Sequence, residues 1–254
     1  MRRMVLLTAV IVLSVTGIAQ AEEGELGIDF DATWVSKYIW RGFDLYDDKA
    51  AFQPSINVDL YGTGFSFNLW GSYGGSSGTV DGEEMDYTLT YSNTVFDSEV
   101  YMTNYAVSWL YYDFPDATSK NADAQEFNLA LSWPNLCPGG VVPHYQVIKM
   151  WPSFGGGAAR DISGFIHVWG LNYETMCPEL DLPFVLSWDI VYNDGTGGDS
   201  VDHDWSHMVW GIKTRIECPM GGTLTPALYF QNSMDDSVND EDELWVGLSY
   251  GFGF

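Results

Sequence analysis

Positive charge is scarce in this chain: ten lysines and arginines stand against 35 aspartates and glutamates in 254 residues, for a formal net charge of −25. That balance argues against a nucleic-acid partner, because phosphate backbones are held by lysine and arginine. Cysteine is scarce as well. The three, Cys137, Cys177 and Cys218, show no CxxC spacing, which speaks against a thiolate metal centre, and no metal or other cofactor is expected. Beyond the N-terminus there is no apolar run near the roughly 20 residues of a membrane helix. A chain of this kind that enters a membrane must do so as a closed barrel, since an open sheet would leave backbone groups unpaired in hydrocarbon. Catalytic groupings are also wanting. Ser206 and His207 adjoin, but successive side chains of a strand point to opposite faces, so the two are expected to lie apart, and no enzyme activity or catalytic residue is expected.

What the chain does have, first, is an export leader. Arg2 and Arg3 precede an apolar stretch over residues 5–18, and Ala19-Gln20-Ala21 forms a small-x-small cleavage site. Residues 1–21 are therefore expected to be a signal peptide, and residues 22–254 a single barrel domain.

The second feature is alternation. Twelve segments, at residues 26–41, 52–61, 65–73, 85–93, 100–113, 125–133, 141–151, 164–174, 183–192, 207–217, 223–231 and 244–254, read as strands, most with a clean apolar face at period two. Phe52, Pro54, Ile56, Val58 and Leu60 oppose Gln53, Ser55, Asn57 and Asp59; Phe184, Leu186, Trp188, Ile190 and Tyr192 oppose Val185, Ser187, Asp189 and Asn193. Two segments are less regular, because His144, Gln146 and Lys149 in one, and His167 and Asn172 in the other, do not sort onto one face. Short turns trade places with longer loops rich in acid, glycine or serine. The pattern predicts an all-β, antiparallel, up-and-down transmembrane barrel of about 12 strands, with short periplasmic turns and long outer loops. A soluble β-sandwich or lipocalin-like barrel shares the alternation. The 16% aromatics, many near strand ends as at Trp34, Trp40, Trp109 and Trp205, suit the interfacial girdles of a membrane barrel better.

The acidic runs Asp44/Asp47/Asp48, Asp81/Glu83/Glu84, Asp199/Asp202/Asp204 and residues 235–243 are expected to be solvated loops, with loose divalent-cation binding as the alternative. Each cysteine precedes a proline at a short turn, and the choice between no bond and one disulfide stays open. Opposite the apolar faces lie charges of both signs: Asp29, Asp31, Lys37 and Arg41 on the first segment, Asp59, Asp86, Glu126 and Asp189 along the wall, and Lys213, Arg215 and Glu217 on the tenth. A lysine or arginine turned to hydrocarbon at the bilayer midplane costs about 2–4 kcal/mol. These residues are therefore the candidates to line a lumen, Lys37 and Arg41 by pairing with carboxylates of neighbouring strands or as a selectivity ring.

The closing segment, ELWVGLSYGFGF, places Leu244, Val246, Leu248, Tyr250, Phe252 and Phe254 on one face. It resembles the C-terminal signal of bacterial outer-membrane β-barrels, an aromatic-rich strand ending in Phe that the barrel-assembly machinery recognises. The resemblance implies Tyr250, Phe252 and Phe254 as the assembly signal, that machinery and outer-membrane lipid as partners, and an outer-membrane location. The stretch TWVSKYIWRG at residues 33–42 is similar to the N-terminal stretch of the TorF-like family of outer-membrane porins, through Val35, Ser36, Tyr38, Trp40, Arg41 and Gly42. That resemblance implies a barrel and passive permeation, and carries no substrate. The expected function is a narrow channel or passive diffusion porin for small solutes. The alternative is a non-conducting structural or adhesive barrel that presents acidic loops. A soluble secreted barrel and an outer-membrane lipid-modifying enzyme rank below both.

Overall fold

The computed structural model describes residues 24–74, 83–117, 122–154, 161–219 and 221–254, so the export leader lies outside the described residues. In chain order the strands are β1 (Gly27–Val35), β2 (Ile39–Trp40), β3 (Phe43–Asp44), β4 (Ala51–Asp59), β5 (Phe65–Gly74), β6 (Glu84–Val95), β7 (Thr103–Asp113), β8 (Ala124–Ser132), β9 (Val141–Pro152), β10 (Gly164–Cys177), β11 (Leu182–Asp194), β12 (His203–Thr214), β13 (Ile216–Glu217), β14 (Thr223–Ser233) and β15 (Glu243–Gly253). Each wall strand pairs antiparallel with its neighbours. β1 pairs with both β4 and β15, so the sheet closes on itself. β13 continues β12 past Arg215 without a change of register, Lys213 lying opposite Ala227 and Ile216 opposite Leu224. With β2 and β3 set apart as a small hairpin, the wall is the expected closed barrel of 12 strands.

The alternation read in the sequence sets the two faces of this wall. Outward, large apolar side chains such as Phe52, Leu89, Trp109, Phe127, Trp210 and Leu248 are exposed, while the polar residues between them are buried or half-buried inside. In water that would be an inside-out protein; in a bilayer it is the low-energy arrangement. The two irregular segments now sort. His144, Gln146 and Asn172 are buried inside, whereas Lys149 and His167 lie on the outer face near the long-loop end. Lys149 Nζ sits 4.4 Å from the Phe165 ring centroid, and His167 Nδ1 is 2.8 Å from the Tyr145 hydroxyl with its ring stacked beside Phe165 and Trp169. An aromatic girdle with polar tips is where such side chains are tolerated at lipid level.

One expectation about the wall needs correction. The first segment does not run as a strand from residue 26 to 41: β1 ends at Val35, and residues 36–50 turn into the barrel. The three cysteines are free thiols, half-buried at the short-turn end.

Candidate functional site

Val35 and Ala51 are opposite one another at the long-loop rim of β1 and β4. The residues between them carry a mixture that suits neither lipid nor open water: Tyr38, Ile39 and Trp40 are apolar, and Lys37 and Arg41 supply two of the chain's few cations. Folding inward satisfies both groups. Within the loop, Trp40 pairs with Phe43 across a two-residue turn in which Arg41 has φ 51° and Gly42 has φ 100°. A hairpin of type I′ demands positive φ at both central positions, which explains glycine at the second. A second constraint acts on Gly42, since a Cβ there would fall 2.6 Å from His207 Nδ1 and 2.8 Å from Val238.

The loop is seated on three apolar beds. Tyr38 and Tyr46 join Val35 and Ala51 with Trp70 packed beside them; Ile39 joins Val209 and Trp245 under Tyr229; Trp40 packs against a cluster of Leu110, Tyr112, Ile148, Met150, Ile166 and Val168. The interior is therefore not polar throughout. In the long-loop half the inner faces of β7 to β11 are partly apolar, because they receive the loop. Polar tethers add to this. Arg41 Nη2 donates to Glu126 Oε2 at 2.6 Å, and Tyr112 donates to the same oxygen, also at 2.6 Å. The Tyr38 hydroxyl donates to Glu84 at 2.9 Å, the Gln231 amide donates to the Gly42 carbonyl at 2.9 Å, and Lys37 bridges Glu243 and Asp48. These partners sit on β6, β8, β14 and β15, so the loop reaches across the lumen rather than lining one side of it.

Electrostatics fit the tethers. Burial opposes the charge on Lys37, yet its hydrogen bonds to Asp48 and Glu243 more than offset that and hold its pKa above the ordinary lysine range. Burial, with the Glu84 carboxylate as the second cause, pushes Tyr38 well above a normal phenol, so it stays a neutral donor. Tyr38→Phe should cost about 1–3 kcal/mol of thermal or denaturant stability, since it leaves Glu84 without its donor. An unchanged unfolding midpoint would sink that assignment.

The candidate lumen residues divide between the two halves of the barrel. Asp86 and Glu126 are buried in the long-loop half, with Glu84 and Glu243, which sequence reasoning had assigned to solvated loops. Their strand phase with Asp86 and Trp245 was the signal that could have found them. Asp29, Asp31, Asp59 and Asp189 are buried on the inner face, Lys213 and Arg215 are half-buried on the inner side of β12 and its continuation, and Glu217 is exposed at the short-turn mouth. Lys37 and Arg41 reach the lumen too, but from the loop and not from the first strand as expected. Tyr250 lies at the outer edge of β15, its hydroxyl on the Gly221 carbonyl at 2.8 Å, and Phe252 and Phe254 stack around Phe30 of β1.

In the short-turn half the interior is hydrophilic. His144 and Asp189 flank Gly170 on either side across β9, β10 and β11, and bond over it, Nε2 to Oδ1 at 2.7 Å, while Asn172 lies 3.0 Å from Nδ1. A Cβ on Gly170 would sit 2.0 Å from that aspartate oxygen and 2.2 Å from the imidazole. Gly170→Ala should therefore break the pair and lower stability by about 1–3 kcal/mol, a value a retained melting profile would contradict.

Two further expectations meet the structure here. Ser206 and His207 do not point apart: a bulge at Val191/Tyr192 shifts the register, both side chains are buried, and Ser206 Oγ lies 2.9 Å from His207 Nδ1. Among the described residues, one grouping of carboxylates has metal-like spacing, Asp44, Asp48 and Glu243, and the ammonium of Lys37 already bridges two of its members.

Against this geometry the comparisons are specific about fold. The sequence matches the family described as "Bacterial protein of unknown function (Gcw_chp)" over residues 20–218. No curated protein matches it. Among solved structures, an outer membrane channel from Pseudomonas putida F1 is similar at TM-score 0.56 and 11% identity, covering 96% of this chain and 100% of that one. A NanC porin gives TM-score 0.54 at 10% identity over 89% of this chain and 98% of that one. A KdgM porin in complex with disordered oligogalacturonate gives 0.53 at 10%, over 88% and 98%. At such identities the likeness is one of fold.

Proposed function

The chain belongs to the Gcw_chp family, and we propose that it is a bacterial outer-membrane channel for passive diffusion of small solutes, constricted at its outer mouth by its own first loop. The observation that carries this reading is the tethered loop of residues 36–50, held by Arg41–Glu126 on one wall and by Gln231 on another. A constriction built from side chains and set inside a barrel selects by size and charge. Folds shared with porins and with an outer membrane channel support the reading, as does the leader-like N-terminus, from which export into the envelope would follow. The resemblance of residues 33–42 to the TorF-like porins belongs to the same proposal. So do the partners: lipid around the outer face, and the assembly machinery at the C-terminal strand.

The lumen's charge decides which solutes suit it. One neighbour is complexed with an oligogalacturonate, a polyanion. Here Asp31, Asp59, Glu84, Asp86, Glu126, Asp189 and Glu243 are buried along the inner face, against Lys37, Arg41, Lys213 and Arg215. A polyanion would meet repulsion along much of the path, so we do not extend that ligand to this chain. Refolded protein in planar bilayers should show discrete conductance steps, with potassium preferred to chloride. Absence of steps at any voltage would remove the channel reading. It would leave the second one, which the same tethers favour: a barrel sealed by its loop, with acidic outer loops as its working surface.

A further inference from the structure

The cations on the inner face are not equally occupied. Lys37 and Arg41 are held by carboxylates. Among the described residues Lys213 and Arg215 have no salt bridge or side-chain hydrogen bond, and Arg215 Nε is buried without an acceptor there. Both project inward. Lys213 stands between Val185 and Ala227, and Ile212 and Ile216 on either side belong to the opposite, outward face. A guanidinium nitrogen that has lost water and gained no acceptor is costly, and its cost is relieved by an anion.

The surroundings have the shape and the chemistry for one. Continuing the register shared by β12 and β13 puts Arg215 across from Thr225; Thr225 is opposite Ser249, and Ser249 is opposite Thr33, Ser249 donating to the Thr33 hydroxyl at 2.6 Å and Thr33 donating onward to Asp31. That makes a row of hydroxyls along the wall beside the guanidinium. The row that begins at Lys213 runs through Ala227 and Gly247, and a Cβ on Gly247 would meet nothing nearer than 3.7 Å. Small side chains leave room in front of the ammonium, the Thr225 hydroxyl supplies a donor beside the guanidinium, and two positive charges spaced i, i+2 share one face. Glu174, at the short-turn end of β10, acts on Lys213 electrostatically but forms no ion pair with it.

We infer that Lys213 and Arg215, with the hydroxyl of Thr225, form a lumen site for the oxyanion group of a small solute, a carboxylate or a phosphate. A fork of guanidinium donors matches either group. The site lies in the short-turn half, beyond the loop constriction from the long-loop side. It rests on the channel reading for its solute, because the solute must enter the lumen to reach it. Because acids line both halves of the lumen and Lys213 and Arg215 lie past the constriction, solutes carrying both an ammonium and an oxyanion find a partner for each charge.

The test separates the two proposals. Refolded wild-type protein in detergent micelles is titrated with inorganic phosphate, followed by phosphorus NMR line broadening, and with acetate, followed by competition against that broadening. The double variant K213Q/R215Q should weaken phosphate binding by about tenfold or more, while K49Q, which removes a loop charge far from the site, should leave it unchanged. Displacement by acetate marks a general oxyanion site, and no displacement marks a phosphate site. Equal broadening in wild type and K213Q/R215Q, or none in wild type, overturns the inference. Neither result depends on conduction, which bilayer recording reports on its own. The double variant retains the wall strands' backbone pairing, and its heat-shifted gel mobility checks that it has folded.

Discussion

Replacing residues 37–49 by a short Gly-Ser link should raise single-channel conductance by about twofold or more, and should weaken the preference among ions at the same time. Twelve strands enclose a lumen between the side-chain-filled barrels of eight and the open channels of sixteen, and on the proposed reading the tethered loop is what narrows it. Tyr38, Ile39, Trp40 and Arg41 would leave together, removing the loop's share of three packed clusters in the long-loop half. A finer version uses one tether. Arg41→Met leaves Glu126, among the most completely buried side chains, without its cation. Stranding one partner of a buried pair costs about 3–5 kcal/mol, whereas replacing both partners by apolar groups is often close to neutral. R41M should therefore be much less stable than wild type, and R41M/E126L should recover part of the loss, the remainder being the Tyr112 hydroxyl left without its acceptor; a double-mutant cycle measures the difference. If conductance does not rise with the loop removed, the loop is not the constriction. Equal stability for R41M and wild type would show that the tether carries nothing.

The second large effect concerns closure. Deleting residues 252–254 removes the pairing of Phe252 with Phe30 and of Gly253 with Asp29, together with the reciprocal bonds between Ile28 and Phe254. Backbone groups so exposed to hydrocarbon cost several kcal/mol apiece, and the seam between β15 and β1 is the one place where the ring can open. The yield of heat-modifiable, protease-resistant barrel should fall by roughly tenfold or more, whether the chain is refolded in detergent or expressed. Phe254→Ala isolates the proposed recognition from this. Its side chain is 80% exposed and its backbone bonds survive the substitution. Refolding in detergent should be normal, while assembly in cells should be impaired if the terminal aromatic is read by the assembly machinery. Normal assembly of F254A in cells would remove that role.

The wall was legible in the sequence because a strand's period is two and a bilayer demands one apolar face. Phe52 to Val58, Phe184 to Tyr192 and Leu244 to Phe252 all sort by that rule alone. The rule has no term for a segment that leaves the wall. Residues 36–41 continue the alternation of β1, so Tyr38 and Trp40 looked like lipid-facing positions, and only Arg41-Gly42 between Trp40 and Phe43 hinted at a hairpin. Glu84 and Glu243 were hidden for a related reason: each sits at the junction of an acidic loop and a strand, and its burial depends on Tyr38 and Lys37 arriving from elsewhere. The Ser206–His207 contact needed a bulge that leaves Ser206 itself unpaired in the ladder, which no local pattern announces.

The order of residues by itself thus determined a closed antiparallel barrel, its outward apolar band and the placing of most charges on the inner side, since these follow from local periodicity and the cost of charge in hydrocarbon. Only the tertiary structure decided what fills that barrel: which acids receive Lys37 and Arg41, where an apolar bed replaces polar wall, and which inner-face cations lack partners among the described residues. Those are contacts between residues as far apart in the chain as Lys37 and Glu243, and they exist only once the ring has closed.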